Sequence, residues 1–260
     1  MNRTTIIRYL NSVMKNQSIS EKDKIIRITN ELPIYLGDVM IGLLLSDGSL
    51  ERTSSTSGVR LSISFSEKHK EYLEFLYKLY EPYINTKPAL IKVYNKKTDS
   101  YNNVLKFKTL TLPQLIYYYE LFYVEGKKLI PSNVEDLITP VGLAHLIMGD
   151  GNLKQPDKII RIYTNSFTKK DVELLALAII NKFNIKTRVV HDRNNQYIIT
   201  ISKSELPKVN SLIKDHLHPS MFYKIDLENN NLHKFDYNDK LYSFKNTAVY
   251  YKDILDQYTK

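Results

Sequence analysis

The chain has no cysteine, no tryptophan, and only eight glycines in 260 residues. Without cysteine there is no disulfide, no thiolate-bound zinc and no cysteine nucleophile. No apolar run reaches the roughly 18 residues that span a bilayer, so no membrane partner is expected. The first 20 residues lack the apolar core of a signal peptide, and Glu21 and Asp23 spoil a transit peptide. Negative charge is the other shortage. Lys and Arg number 37 against 28 Asp and Glu, a net +9. That balance favours a polyanionic partner, nucleic acid before a membrane surface. A hydrophobic share of 43% suffices for a real core. Tyrosine is plentiful, at 20 residues, alongside much Lys, Asn and Ile. These types have AT-rich codons, which suits an organelle genome and makes the mitochondrion the expected compartment.

What is present is a repeat. "MIGLLLSDG" carries Asp47 and "LAHLIMGDG" carries Asp150, 103 residues later. Each is an apolar run, a small residue, then Asp-Gly. Further landmarks follow in the same order. "SFSEKHKEYL" from Ser64 matches "SFTKKDVELL" from Ser166, each opening an amphipathic helix with Ser or Thr placed to cap it. "LPQLIYYYELFY" from Leu112 matches "LPKVNSLIKDHL" from Leu206, and a lysine beside a proline turn ends each copy. The reading is an N-terminal extension (1–30), a first repeat (31–130), a linker (131–136), a second repeat (137–225) and a C-terminal extension (226–260). "TTIIRYLNSVMKN" and "TAVYYKDILDQY", in the two extensions, have helical spacing.

Each copy reads as helix, two strands, helix, two strands, helix. The strands are expected at 58–65, 90–95 and 103–110, then 158–165, 187–192 and 197–202, with a short one after Gly48. Val59, Leu61, Ile63 and Phe65 alternate with Arg60, Ser62 and Ser64. Such sheets put one face on helices and leave one wet. The fold class is therefore α+β: two pseudo-symmetric αββαββα repeats packed through their motif helices, with antiparallel sheets forming a DNA-binding saddle. The outward residues by alternation are Arg60, Lys92, Tyr94, Lys106 and Lys108 in the first copy. In the second they are Arg161, Tyr163, Arg188, Arg193 and Gln196. Strand-borne side chains of these types reach base edges in a major groove. Because the two sets differ, the duplex target is expected to be asymmetric.

A carboxylate at a helix C-terminus is repelled by the partial negative charge there. If the two motif helices pack together, Asp47 and Asp150 meet and compound that cost. A hard divalent cation relieves it, and Mg2+ fits: oxygen ligands, few from protein, the rest from water and phosphate.

The two segments resemble the paired motifs of LAGLIDADG homing endonucleases in the single-chain, two-repeat form. The resemblance covers about 31–225. Leu45 and Met148 stand where the family name has its first acid, and His145 stands at the middle glycine. The resemblance implies that Asp47 and Asp150 are metal-binding catalytic acids. "GKKLIP" and "MFYKI" imply a catalytic role for Lys128 and Lys224. His145 reads as a packed, hydrogen-bonded residue rather than a ligand. The implied activity is Mg2+-dependent hydrolysis of double-stranded DNA by a monomer, with Ca2+ supporting binding without cleavage. No splicing residues flank the chain, so an intron origin is expected. The alternative is an RNA-splicing maturase on the same fold, with intron RNA as partner. A repressor-like binding module would be expected had either acid been lost.

Overall fold

The computed structural model describes residues 32–227, apart from 53, 55, 56, 97 and 98. The helical spacings expected in the two extensions lie outside the described residues. The first half runs α1 (Ile34–Leu44), β1 (Ser49–Arg52), β2 (Val59–Ser66), α2 (Lys70–Tyr80), β3 (Ala89–Asn95), β4 (Ser100–Lys108) and α3 (Ile116–Phe122). A two-stranded ribbon, β5 (Tyr123–Val124) with β6 (Lys127–Lys128), and a short helix α4 (Val134–Leu137) lead onward. The second half repeats the order: α5 (Pro140–Asp150), β7 (Gly151–Lys154), β8 (Ile159–Ile162), α6 (Lys169–Phe183), β9 (Thr187–His191), β10 (Tyr197–Ile201) and α7 (Leu206–Ile213). A 3-10 segment, Pro219–Ile225, follows it.

The two four-stranded sheets have matching orders, β1-β2-β4-β3 and β7-β8-β10-β9. All pairings within them are antiparallel. The shared order puts the strand after each motif helix at one edge.

Beyond the exposed Ile34 and the half-buried Asp38 of α1, the motif helices α1 and α5 carry apolar residues on nearly every side, the pattern of a buried helix. In α5 every residue from Val141 to Met148 is buried, and in α1 so are Val39 to Leu44. The helices pack on one another and form the middle of one continuous apolar core. A Cβ on Gly42 would stand 2.3 Å from the Gly142 carbonyl oxygen and 2.6 Å from the His145 Cβ. Gly42 is thus where the backbones close in, and it makes the room that His145 takes on the facing helix. His145 is fully buried, with its Nδ1 2.7 Å from the Tyr72 hydroxyl and its ring beside Phe75. It is a packed residue, as expected.

Helix starts differ between the halves. Thr168 caps α6 in a capping box with Asp171, and Asn184 ends that helix in the left-handed region at φ 54°. Ser66, in the matching position before α2, makes no side-chain cap; a 3-10 turn, Glu67–His69, leads in instead. The capping expectation therefore fails in the first copy. The second copy has the Thr and Asp that reciprocate; the first has Ser66 and His69 there.

Candidate active site and nucleic-acid face

Helix α1 ends at Leu44, so Asp47 lies in the turn beyond it, whereas Asp150 is the last residue of α5. The chain ends of the two helices touch. A Cβ on Gly149 would stand 2.5 Å from Ser46 Oγ and 3.4 Å from Asp47 Oδ2. Ser46 is held there by donating to the Gly42 carbonyl at 2.9 Å. The absence of a side chain at Gly149 lets Asp47 lie against the residue preceding Asp150. Both acids line one open pocket of about 380 Å³, with Ser64 and His69 from the first half and Asn152, Tyr163, Tyr223 and Lys224 from the second.

Two lysines answer the helix-end problem. Lys128, on β6, donates from Nζ to the carbonyls of Ser46 (2.9 Å) and Gly48 (2.7 Å). Lys224 donates to those of Met148 (2.5 Å) and Gly149 (2.8 Å). Lys224 supplies positive charge and a donor to the last turn of α5, and Lys128 does the same for the turn that follows α1. The electrostatics are correspondingly tense. Burial raises the Asp150 carboxyl to about 7, Asp47 adds to the rise, and Lys128 and Lys224 pull against it. Burial raises Asp47 as well, with Lys224 and Lys128 opposing. Burial lowers both Lys128 and Lys224 to about 8, against the pull of the two acids. Two carboxylates and two amines, none of them easily charged alone, share one small volume.

The helix-free sheet faces adjoin this pocket. In the second half, Asn152, Arg161, Thr200 and Arg188 stand directly opposite one another across β7, β8, β10 and β9. Residues opposite each other in an antiparallel ladder share a face. Asn152 lines the acid pocket, so this row runs outward from it. Tyr163, two residues beyond Arg161, also lines the pocket. Gln196 lies at the entry to β10, its amide 3.5 Å from the Asn165 carbonyl. Arg193 is at the β9–β10 hairpin, its side chain 81% exposed and 3.9 Å from Asp192.

In the first half, Ser62 faces Lys108 and Ser64 faces Lys106 across β2 and β4, and Ser64 reaches the pocket. Arg60 and Lys108 share this face but are both tied to Glu51. Its carboxylate takes a hydrogen bond of 2.8 Å from Arg60 Nε and one of 2.9 Å from Lys108 Nζ. Burial alone would raise Glu51, but the Lys108 and Arg60 hydrogen bonds hold it below the usual carboxylate range.

Lys92 and Tyr94 are a correction to the alternation argument. Lys92 stands opposite Asn103, Tyr94 opposite Tyr101, and Leu90 opposite Leu105. Leu105 packs against the core, and Asn103 donates to Glu67 at the lead-in to α2. Lys92 and Tyr94 therefore lie on the helix side. Ala89, Ile91 and Val93 share the face of Lys106. The outer part of β3 and β4 is open on both faces, with Leu90 53% and Ile91 38% exposed, so apolar alternation there does not mark the covered face.

Sequence reasoning missed Asn152, Ser64 and His69 as pocket residues, and Glu51 as the hub of the first sheet. Asn152 was within reach: it is two residues beyond Asp150, on the strand leaving the motif.

A family model described as the LAGLIDADG DNA endonuclease family matches residues 38–209. The chain is 29% identical over 211 residues to cytochrome b mRNA maturase bI2 of Debaryomyces hansenii, spanning 79% of each. It is 28% identical over 202 residues to DNA endonuclease I-ChuI of Chlamydomonas applanata, spanning 72% of this chain and 93% of that protein. Among solved structures, the homing endonuclease I-WcaI bound to its DNA recognition sequence shares the fold. Its TM-score is 0.73 at 20% identity, over 84% of this chain and 98% of that one.

Proposed function

The chain belongs to the LAGLIDADG DNA endonuclease family, and we propose that it is an intron-encoded homing endonuclease in which Asp47 and Asp150 are the catalytic acids. It hydrolyses one phosphodiester on each strand of a long, asymmetric duplex. The observation that carries this reading is the meeting of the two acids in one pocket, where the helix-free faces of both sheets adjoin. Residues 31–130 and 137–225 act as its two repeats around a linker at 131–136, with extensions at 1–30 and 226–260. One chain supplies both halves of the site, so a monomer suffices.

The pocket's donor set suits Mg2+. The acids offer hard oxygens, and Asp47 adds its repulsion to the rise that burial imposes on the Asp150 carboxyl. Among the described residues no cluster of three His, Cys, Asp or Glu side chains could hold a metal. Few protein ligands, with the rest from water and phosphate, is the Mg2+ pattern. Asp47 and Asp150 would hold the ion, which when bound supplies charge neutralisation and an activated water. Lys128, anchored by two carbonyls of the turn after α1, and Lys224, anchored by two at the end of α5, present positive charge where phosphate charge develops. Arg161, Arg188, Arg193, Lys106, Tyr163 and Gln196 line or flank the duplex track with Arg60 and Lys108. The test is selection of cleaved duplexes from a randomised pool in Mg2+. A single asymmetric consensus is expected; uncut pools, or cutting without a consensus, would overturn the reading.

The mutual 79% span with a cytochrome b mRNA maturase favours a second role. The same chain would then assist splicing of its host intron, with intron RNA as partner and the mitochondrion as compartment. Retained acids do not conflict with it. Saturable binding to its own intron RNA at salt concentrations that release tRNA would support it.

A further inference from the structure

Glu51 is a carboxylate on the face that the proposed function lays against a polyanion. Its place is set by register: Glu51 stands opposite Arg60 across β1 and β2, and Arg60 alternates with the buried Val59 and Leu61. Lys108 reaches it from β4, with Nζ 2.9 Å from each carboxylate oxygen. Arg60 holds it through Nε and a second guanidinium nitrogen, both at 2.8 Å. Three strands are thus tied by one acid, and all three side chains are about one-third exposed.

The matching position in the second half has the opposite charge. Lys154 follows Asp150 by the same four residues that separate Glu51 from Asp47, and it stands opposite Ile159. Lys154 pairs outward with Asp157 in the next turn. The row of Asn152, Arg161, Thr200 and Arg188 contains no carboxylate. One half of the track is built to attract phosphate; the other carries a fixed negative charge in its midst.

A carboxylate there opposes binding to any duplex, since every duplex presents phosphates. It also takes two cations out of the flexible pool that would follow phosphates wherever they lie. In exchange it fixes the Arg60 guanidinium plane. A fixed guanidinium keeps donors for the paired acceptors of a guanine edge, and the carboxylate keeps lone pairs that accept from a cytosine amine. We propose that Glu51, with Arg60 and Lys108 clamped to it, is a specificity-determining unit that reads a G·C pair and penalises non-cognate DNA. The unit acts on discrimination rather than on affinity.

This inference rests on the duplex-cleaving reading, and the experiment separates the two. Glu51→Gln keeps the shape and removes the charge. Binding of wild type and variant is measured in Ca2+ over a salt series, on the selected target, on that target with each G·C pair exchanged, and on scrambled duplex. Glu51→Gln is expected to tighten scrambled-duplex binding by roughly tenfold, with a salt slope steeper by about one to two as Arg60 and Lys108 are released to phosphates. The penalty for exchanging one particular G·C pair should fall by about tenfold or more. Equal weakening on all duplexes, or unchanged discrimination, would overturn the specificity role while leaving the endonuclease reading intact. A wild type with no preference for any duplex would overturn both.

Discussion

The two halves share an architecture and differ in how they treat charge. At the pocket they agree: each brings one acid at or just past the end of a buried helix, and one lysine onto two backbone carbonyls there. On the sheets they diverge. The second half opens a row of two arginines with Asn152 and Thr200, and the first half binds Arg60 and Lys108 to Glu51. In the proposed endonuclease, symmetry is kept where chemistry must be done twice, on two antiparallel strands. It is dropped where sequence must be read, because an asymmetric target needs two different readers.

The largest expected effect tests the shared part. Replacing Mg2+ with Ca2+ should hold DNA affinity within about threefold while cleavage falls by more than roughly a hundredfold, because the looser Ca2+ shell orients an in-line attack poorly. Comparable turnover in Ca2+ would break the account of the acid pair. The lysines probe the same pocket. Lys128→Met and Lys224→Met should each slow single-turnover cleavage by about 10- to 100-fold. Uniform loss of affinity, with a salt slope lower by about one and unchanged rates, would make them phosphate contacts instead.

The helix crossing offers a test of stability. Gly42→Ala forces a Cβ to 2.3 Å from the Gly142 carbonyl oxygen, whereas Gly142→Ala meets its nearest atom at an ordinary 3.4 Å. Denaturant midpoints should show Gly42→Ala costing about 2–3 kcal/mol and Gly142→Ala less than about 1 kcal/mol. Equal costs would mean that the helices close elsewhere.

Much of this was legible in the sequence because helix burial and duplication are local patterns. An apolar run ending in Asp-Gly, seen twice with the same sequel, needs only the chain itself. The strand faces near the core were legible too, since Val59, Leu61, Ile63 and Phe65 are buried against helices. The outer half of β3 was not. Beyond the cover of α2 both faces meet solvent, and Lys92 and Tyr94 alternate with Ile91 and Val93 without any buried side to enforce the phase. Glu51 was hidden for another reason. An ion pair between β1, β2 and β4 depends on pairing partners that one sequence does not state.

A smaller effect concerns pH. Asp150 is raised from 3.8 to about 7 in the fold, so the metal-free native state binds the extra proton and loses stability as pH rises from about 4 to 7. Lys128 and Lys224, lowered from 10.5 to about 8, give the reverse slope above pH 8. Asp150→Asn should flatten the first slope, leaving what the raised Asp47 carboxyl contributes. After allowance for solvent screening it should stabilise the chelator-treated protein at pH 7.5 by about 1–2 kcal/mol, read as a higher Tm. A variant less stable than wild type at that pH would show the acid to be a structural group.

If Asp47 and Asp150 form one shared centre, as proposed, and not two independent ones, each acid is needed for both strands. Strand-resolved cleavage of the selected duplex by Asp47→Asn and Asp150→Asn tests it most directly. Either variant should lose cutting of both strands together while still binding the duplex. A variant that kept cutting one strand at the wild-type rate would contradict it.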